Sequence, residues 1–159
     1  MKILITGGAG FIGTNFIKLA LAAGHKIHNV DALTYAANHK NFDVYQKNPN
    51  YSFHHVDIRN RDAFRKILFS TNPNVVVHMA AESHVDKSID SPGEFISTNI
   101  EGTYSVLEGC RALGLHNGMA EQIRMVHVST DEVYGSLGAV GSFSEKAPYA
   151  PNSPYSASK

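Results

Sequence analysis

The feature that most narrows what this chain can fold into is a run of glycines placed between two kinds of periodicity. Lys2 to Thr6 is a short, largely apolar strand pattern. Thr6-Gly7-Gly8-Ala9-Gly10-Phe11-Ile12-Gly13 follows, and apolar residues at helical spacing continue from Phe11 to Ala23. A strand, a tight turn with glycines at 7, 10 and 13, and an immediate helix make a phosphate-receiving turn. Its backbone can approach an anion closely, and the helix N-terminus supplies oriented N–H groups and a partial positive charge. Asp31, 18 residues beyond Gly13, ends the next strand pattern. That is close to the spacing of about 20 at which an acid meets the adenosine ribose of a dinucleotide. An acid at this place favours NAD over NADP, because a 2′-phosphate would meet like charge.

The rest of the chain repeats the alternation. Strand patterns occur at Lys2 to Thr6, Lys26 to Val30, Tyr51 to Val56, Val75 to Ala80 and Ile123 to Ser129, several of them near-continuous apolar runs, as strands covered on both faces should be. Helical spacing fills Phe11 to Ala23, Arg61 to Ser70 and Gly93 to Leu113, with Pro92 where the last of these would start. Ala36 to Pro49 is polar and reads as a loop with one short helix. The pattern predicts an α/β fold, a Rossmann-type doubly wound parallel sheet. After a long loop over Gly135 to Pro151, Ser153 and Pro154 read as the N-cap and first residue of a new helix that stops with the chain. The expectation is therefore a single incomplete dinucleotide-binding domain over residues 1–159, cut before the last sheet elements, with a C-terminal substrate domain absent from this chain.

Composition removes several partners. The 159 residues carry 14 Lys+Arg against 14 Asp+Glu, so no basic surface recruits nucleic acid or an anionic membrane. No stretch approaches the roughly 18 apolar residues needed to span a bilayer. The one cysteine, Cys110, has no internal disulfide partner, and the N-terminal apolar run is too short for a signal-peptide core, which fits a reducing cytoplasm. The nine histidines include one adjacent pair, His54-His55, but no Cys/His cluster at ligand spacing, so no metal is expected. His78 and His127 fall within buried strands, where a neutral, hydrogen-bonded imidazole is expected.

Two further clusters suggest chemistry. Tyr155 and Lys159 share a helix face at i, i+4, which lets an ammonium approach a phenol whose ordinary pKa of about 10 makes it a poor base at neutral pH. Ser129-Thr130-Asp131-Glu132 follows the fifth strand, at the sheet end where open parallel sheets bind ligands. Two adjacent carboxyls there suit acid and base work.

Taken in order, TGGAGFIG, VDALTYA, AAESHVDKS, TNIEGT, STDEVYG and SPYSASK resemble the extended short-chain dehydrogenase/reductase family, and within it the nucleotide-sugar 4,6-dehydratases. STDEVYG is the sharpest block, since related epimerases share the tyrosine and lysine but lack the paired acids. The resemblance implies a lyase of deoxysugar (rhamnose) biosynthesis that converts dTDP-glucose to dTDP-4-keto-6-deoxyglucose with tightly held NAD. Tyr155 would take the C4 hydroxyl proton, Thr130 would bond the developing ketone, Glu132 would remove the C5 proton and Asp131 would protonate the departing C6 hydroxyl. It further implies cofactor contacts from Gly7, Gly10, Phe11, Ile12 and Gly13 near the pyrophosphate, and from Asp31, Ala32, Leu33 and Thr34 at the adenosine ribose. Asp57 and Ile58 would meet the adenine, and Ala80, Ala81, Ser83, Thr98, Tyr155 and Lys159 would line the remainder. Ser83 and Thr130 would also face the sugar, and Asn99 resembles the family's structural asparagine. The chain departs from the family pattern at Ala32, where many relatives carry lysine, and at Ala37, a frequent glycine. A homodimer through the Gly93 to Leu113 helix is the implied assembly. Other readings are a sugar-nucleotide 4-epimerase or decarboxylase, another nucleotide-sugar dehydratase, or, for the isolated chain, a dinucleotide-binding fragment that does not turn over.

Overall fold

In the computed structural model, which describes residues 1–38, 40, 43–118 and 123–159, five parallel strands form one sheet in the order β3-β2-β1-β4-β5. These are β1 (Lys2–Thr6), β2 (Lys26–Asp31), β3 (Tyr51–His55), β4 (Val75–His78) and β5 (Arg124–His127). The parallel register sets Ile3, Leu4 and Ile5 of β1 against Ile27, His28 and Asn29 on one side and Val75, Val76 and Val77 on the other. β1 is thus central and buried along nearly its whole length.

Alternation along β1 divides the core in two. Ile3 and Ile5 join Ile17 and Ala20 of α1 (Phe11–Ala22) in one cluster. Leu4 on the opposite face joins Phe64 and Leu68 of α2 (Arg61–Thr71) and Val106, Cys110 and Leu113 of α5 (Thr103–His116) in the other. This is the doubly covered, Rossmann-like sheet that the sequence pattern predicts. Asn60 caps α2 by accepting from Ala63 N, and Asn72 ends it in a left-handed conformation.

The strands agree with expectation to within two residues at each end: β2 runs one residue further, to Asp31, β3, β4 and β5 stop one to two residues sooner, and β5 starts one residue later, at Arg124. The expected Gly93 to Leu113 helix is longer and not uniform. It begins at Pro92 as α4 (Pro92–Phe95), passes through a π-helical segment over Ile96–Gly102, and continues as α5. Ahead of it lies α3 (Val85–Asp90), which the sequence reading placed in no element. A short helix is expected somewhere within Ala36 to Pro49, a stretch of which residues 39, 41 and 42 lie outside the described residues. The last element, α6 (Pro154–Ser158), starts as expected: Ser153 caps it, and Ser153 and Ser156 form a reciprocal capping box. Among the described residues no helix is long and apolar enough to cross a membrane.

Candidate active site

All the strands run the same way, so their C-terminal ends open into one crevice, and there lies a cavity of about 430 Å³. Its floor is the glycine turn. Gly7 adopts φ 76° and donates from its N–H to Val30 O at 3.0 Å, and a Cβ on it would lie 2.6 Å from Ala80 N. A Cβ on Gly13 would overlap Gly7 O. Both positions need glycine, one for its backbone conformation and both for close approach. No side chain caps the N-terminus of α1 at Gly10, and Phe11 and Ile12 are 81% and 63% exposed although apolar. An uncapped helix start with its donors and apolar side chains facing a cavity is built to meet something else.

Asp31 is 9% exposed and stands beside this turn. Its Oδ2 accepts from Ala9 N and its Oδ1 from Leu33 N, each at 2.8 Å. Each carboxylate oxygen retains a further lone pair, so the acid is held in place and still able to accept from a diol.

The predicted contact residues converge here with one exception. Gly7, Gly10, Phe11, Ile12, Gly13, Asp31, Ala32, Thr34, Asp57, Ile58, Ala80, Ala81, Ser83, Thr98, Tyr155 and Lys159 all line the cavity. Leu33 does not. Its left-handed backbone (φ 53°) turns its side chain onto the apolar cluster over α1. Arg59, Glu82 and Ser129 also line the cavity and were not predicted as contacts. Each sits next to a predicted residue, and that adjacency was the available signal. Arg59 is turned on Asp57 by bonds of 2.7 to 3.1 Å, and this pairing holds the Asp57 carboxyl below its ordinary range against the opposing effect of burial.

Tyr155 packs edge-on against Phe95 with ring centres 6.4 Å apart. Lys159 donates from Nζ to Val128 O at 2.8 Å, and burial lowers its pKa. Below it, His78 is 1% exposed and lies between two hydroxyls: Nδ1 is 2.6 Å from Thr6 Oγ1 and Nε2 is 2.9 Å from Thr103 Oγ1. His127 stands edge-on to it at 5.1 Å. Burial, then His127 and Lys159, pull His78 down to about 3. It is therefore a neutral imidazole, as its strand position predicts.

Thr130 lines a neighbouring cavity of about 390 Å³ that shares Ser129 and Lys159 with the first. It caps a 3₁₀ turn over Asp131–Tyr134 by accepting from Glu132 N at 3.2 Å, and its hydroxyl donates to Asp131 Oδ1 at 3.4 Å. The cap holds the turn that carries the two acids after β5, but neither acid lines either cavity. Among the described residues no three His, Cys, Asp or Glu side chains converge as a metal site.

The profile of the family described as GDP-mannose 4,6 dehydratase matches residues 4–159. The chain belongs to this family. Within the GDP-mannose 4,6 dehydratase family, the chain is 48% identical to the dTDP-glucose 4,6-dehydratase of Xanthomonas campestris pv. campestris (strain B100), over 98% of this chain and 45% of that protein. It is 49% identical to the dTDP-glucose 4,6-dehydratase of Neisseria meningitidis serogroup B, over 99% and 46%. Among solved structures, the NAD-bound dTDP-glucose 4,6-dehydratase of Streptomyces venezuelae superposes with TM-score 0.87 at 42% identity, over 100% of this chain and 48% of that one. The NAD complex of Thermus thermophilus UDP-glucose 4-epimerase superposes with TM-score 0.86 at 30% identity, over 100% and 47%. The fold is thus shared with both activities, and sequence identity is higher to the dehydratases. The chain spans about half the length of the curated relatives it matches.

Proposed function

We propose that the natively encoded protein is an NAD-dependent dTDP-glucose 4,6-dehydratase, a lyase that removes water from a nucleotide-activated hexose to give the 4-keto-6-deoxy sugar. The observation that carries this reading is the Thr130-Asp131-Glu132 series, held by its own cap at the C-terminal end of β5 beside a cavity lined by Tyr155 and Lys159. An epimerase needs the tyrosine and lysine but has no use for two acids there. Residues 1–159 form the NAD-binding domain in this reading, and a substrate-binding domain lies outside them.

The residues present fit a dinucleotide. The glycine turn leaves a cradle that a Cβ would fill, α1 begins without a side-chain cap, and Asp31 keeps lone pairs free while already anchored. Gly7, Gly10, Phe11, Ile12 and Gly13 would hold the pyrophosphate and Asp31, Ala32 and Thr34 the adenosine ribose, with Leu33 contributing backbone. Asp57 and Ile58 would meet the adenine, and Ala80, Ala81, Ser83 and Thr98 the remainder. NAD bound there supplies a reversible hydride acceptor, so that oxidation at C4 is undone by reduction at C6. Tyr155 takes the C4 hydroxyl proton, and Thr130 donates to the developing 4-keto oxygen. The ketone acidifies C5. Glu132 removes the C5 proton while Asp131 gives a proton to the departing C6 hydroxyl, and Ser83 faces the sugar.

The assembly we assign is a homodimer. Ile96, Ile100, Tyr104 and Leu107 recur at i, i+4, i+8 and i+11 along one helical face and are each about half exposed, the apolar stripe a partner helix would cover. Cys110 is a buried free thiol that burial raises to about 11, in keeping with a reduced, cytoplasmic setting. The test is formation of a 4-keto-6-deoxy product from dTDP-glucose by the natively encoded protein. A C4 epimer formed without water loss would assign the scaffold to epimerisation instead.

A further inference from the structure

Two loops that wall the dinucleotide cavity are tied to each other. Thr34, Ala36 and Ala37 line it from the loop after β2, and Ala81, Glu82 and Ser83 from the loop after β4. Between them, Tyr35 donates its hydroxyl to Glu82 Oε2 at 2.9 Å. The bond joins residues 47 apart in sequence, so only the fold brings them together. Lys87 Nζ lies 3.7 Å from the centre of the Tyr35 ring, and the His84 ring stands 6.3 Å away. Each end is anchored. The Tyr35 loop is pinned to the glycine turn where Asn38 N donates to Ala9 O at 3.1 Å. The backbone of Glu82 is held on both its N–H and its C=O by Asn99.

We propose that Tyr35 and Glu82 form a clasp across the mouth of the dinucleotide cavity that slows release of the bound cofactor, with Lys87 steadying the ring. This rests on the reading that the cavity holds NAD. The clasp is a single hydrogen bond between two well-anchored loops, and Tyr35 is 56% exposed, so it can break and re-form without disturbing the core. Desolvation and the Glu82 carboxylate push the phenol up to about 12, so it keeps the proton it donates across the working pH range. Tyr35 and Glu82 act here as positioning residues, because neither is asked to react. The arrangement suits an enzyme that borrows and returns one hydride within a turnover and gains nothing by exchanging its NAD.

The experiment loads the natively encoded protein with fluorescent etheno-NAD and follows its displacement by excess NAD in the absence of sugar. Tyr35→Phe and Glu82→Ala should each speed release by about three- to tenfold, the scale of one net hydrogen bond. The double variant should be no faster than either, because both delete the same bond. Glu82→Gln keeps an acceptor for the phenol and should restore most of the slow release. The melting temperature of the nucleotide-free protein should not move with Tyr35→Phe. Release from Tyr35→Phe at the wild-type rate, or single effects that multiply in the double variant, would overturn the clasp. Failure of the wild-type protein to bind etheno-NAD at all would instead overturn the cofactor reading, and the clasp with it.

Discussion

Asn99 and Glu82 are joined through both faces of one side-chain amide. Asn99 Oδ1 accepts from Glu82 N at 2.8 Å, and Asn99 Nδ2 donates to Glu82 O at 2.9 Å and to Ser158 Oγ at 2.8 Å. The Glu82 N–H must donate, which fixes the orientation of the amide. One buried side chain from the π-helical segment thereby sets both the loop that walls the cavity and the helix that carries Tyr155. Asn99→Ala leaves these groups unpaired and should cost about 2–4 kcal/mol, read as a fall in melting temperature. Asn99→Asp keeps the acceptor but places a second oxygen against Glu82 O, and should be no better. A variant as stable as wild type would show that the amide does not organise the site.

Tyr155→Phe keeps the ring against Phe95 and removes only the hydroxyl. Oxidation at C4 should fall by about 10²- to 10⁴-fold, the usual contribution of a positioned acid or base. Stopped-flow absorbance of reduced nicotinamide reads it directly, and a near wild-type rate would remove Tyr155 from the role of base.

Asp131→Asn with Glu132→Gln separates the two halves of the reaction. Reduced cofactor should still form on mixing with dTDP-glucose, while water loss slows by about 10²-fold or more. Single-turnover quenching with mass analysis distinguishes the keto hexose from its dehydrated successor. Dehydration at an unchanged rate would mean that these acids do not carry the elimination.

His78 makes stability depend on pH. Its folded value of about 3 lies below the ordinary imidazole value of 6.5, so the unfolded chain binds the extra proton and stability falls as pH drops through 6.5 toward 3. From pH 7.5 to 5 the loss from this one group is about 2 kcal/mol. His78→Gln, which still offers a donor and an acceptor to Thr6 and Thr103, should lose correspondingly less between the same two pH values in urea melts. An equal loss in both proteins would place the acid sensitivity elsewhere.

Much of the fold was legible in the sequence because buried parallel strands carry apolar runs on both faces, and because the glycine turn admits few alternatives. What escaped is where the signal is not periodic. Val85–Asp90 is six residues long, has no Ser, Thr, Asp or Asn at its N-cap, and shows too little repetition to read as a helix. The π-helical widening at Ile96–Gly102 brings Asn99 inward by inserting an extra residue in the turn, and composition carries no mark of that. Leu33 was read as a neighbour of Asp31 facing the same ligand, but a positive φ reverses its side chain, and nothing in VDALTYA announces it. The Tyr35–Glu82 pair arises from the parallel sheet, which brings the loops after β2 and β4 to the same end, and the Asn99–Glu82 pair from the fold-back of the long connection between β4 and β5.

The most direct measurement supplies the natively encoded protein with dTDP-glucose carrying deuterium at C4 and maps the label in the product. The expected product is a 4-keto-6-deoxy sugar, 18 mass units lighter through loss of water, with the deuterium moved from C4 to C6 of the same molecule. A product that retains its water, or one that has lost the label to solvent, would contradict it.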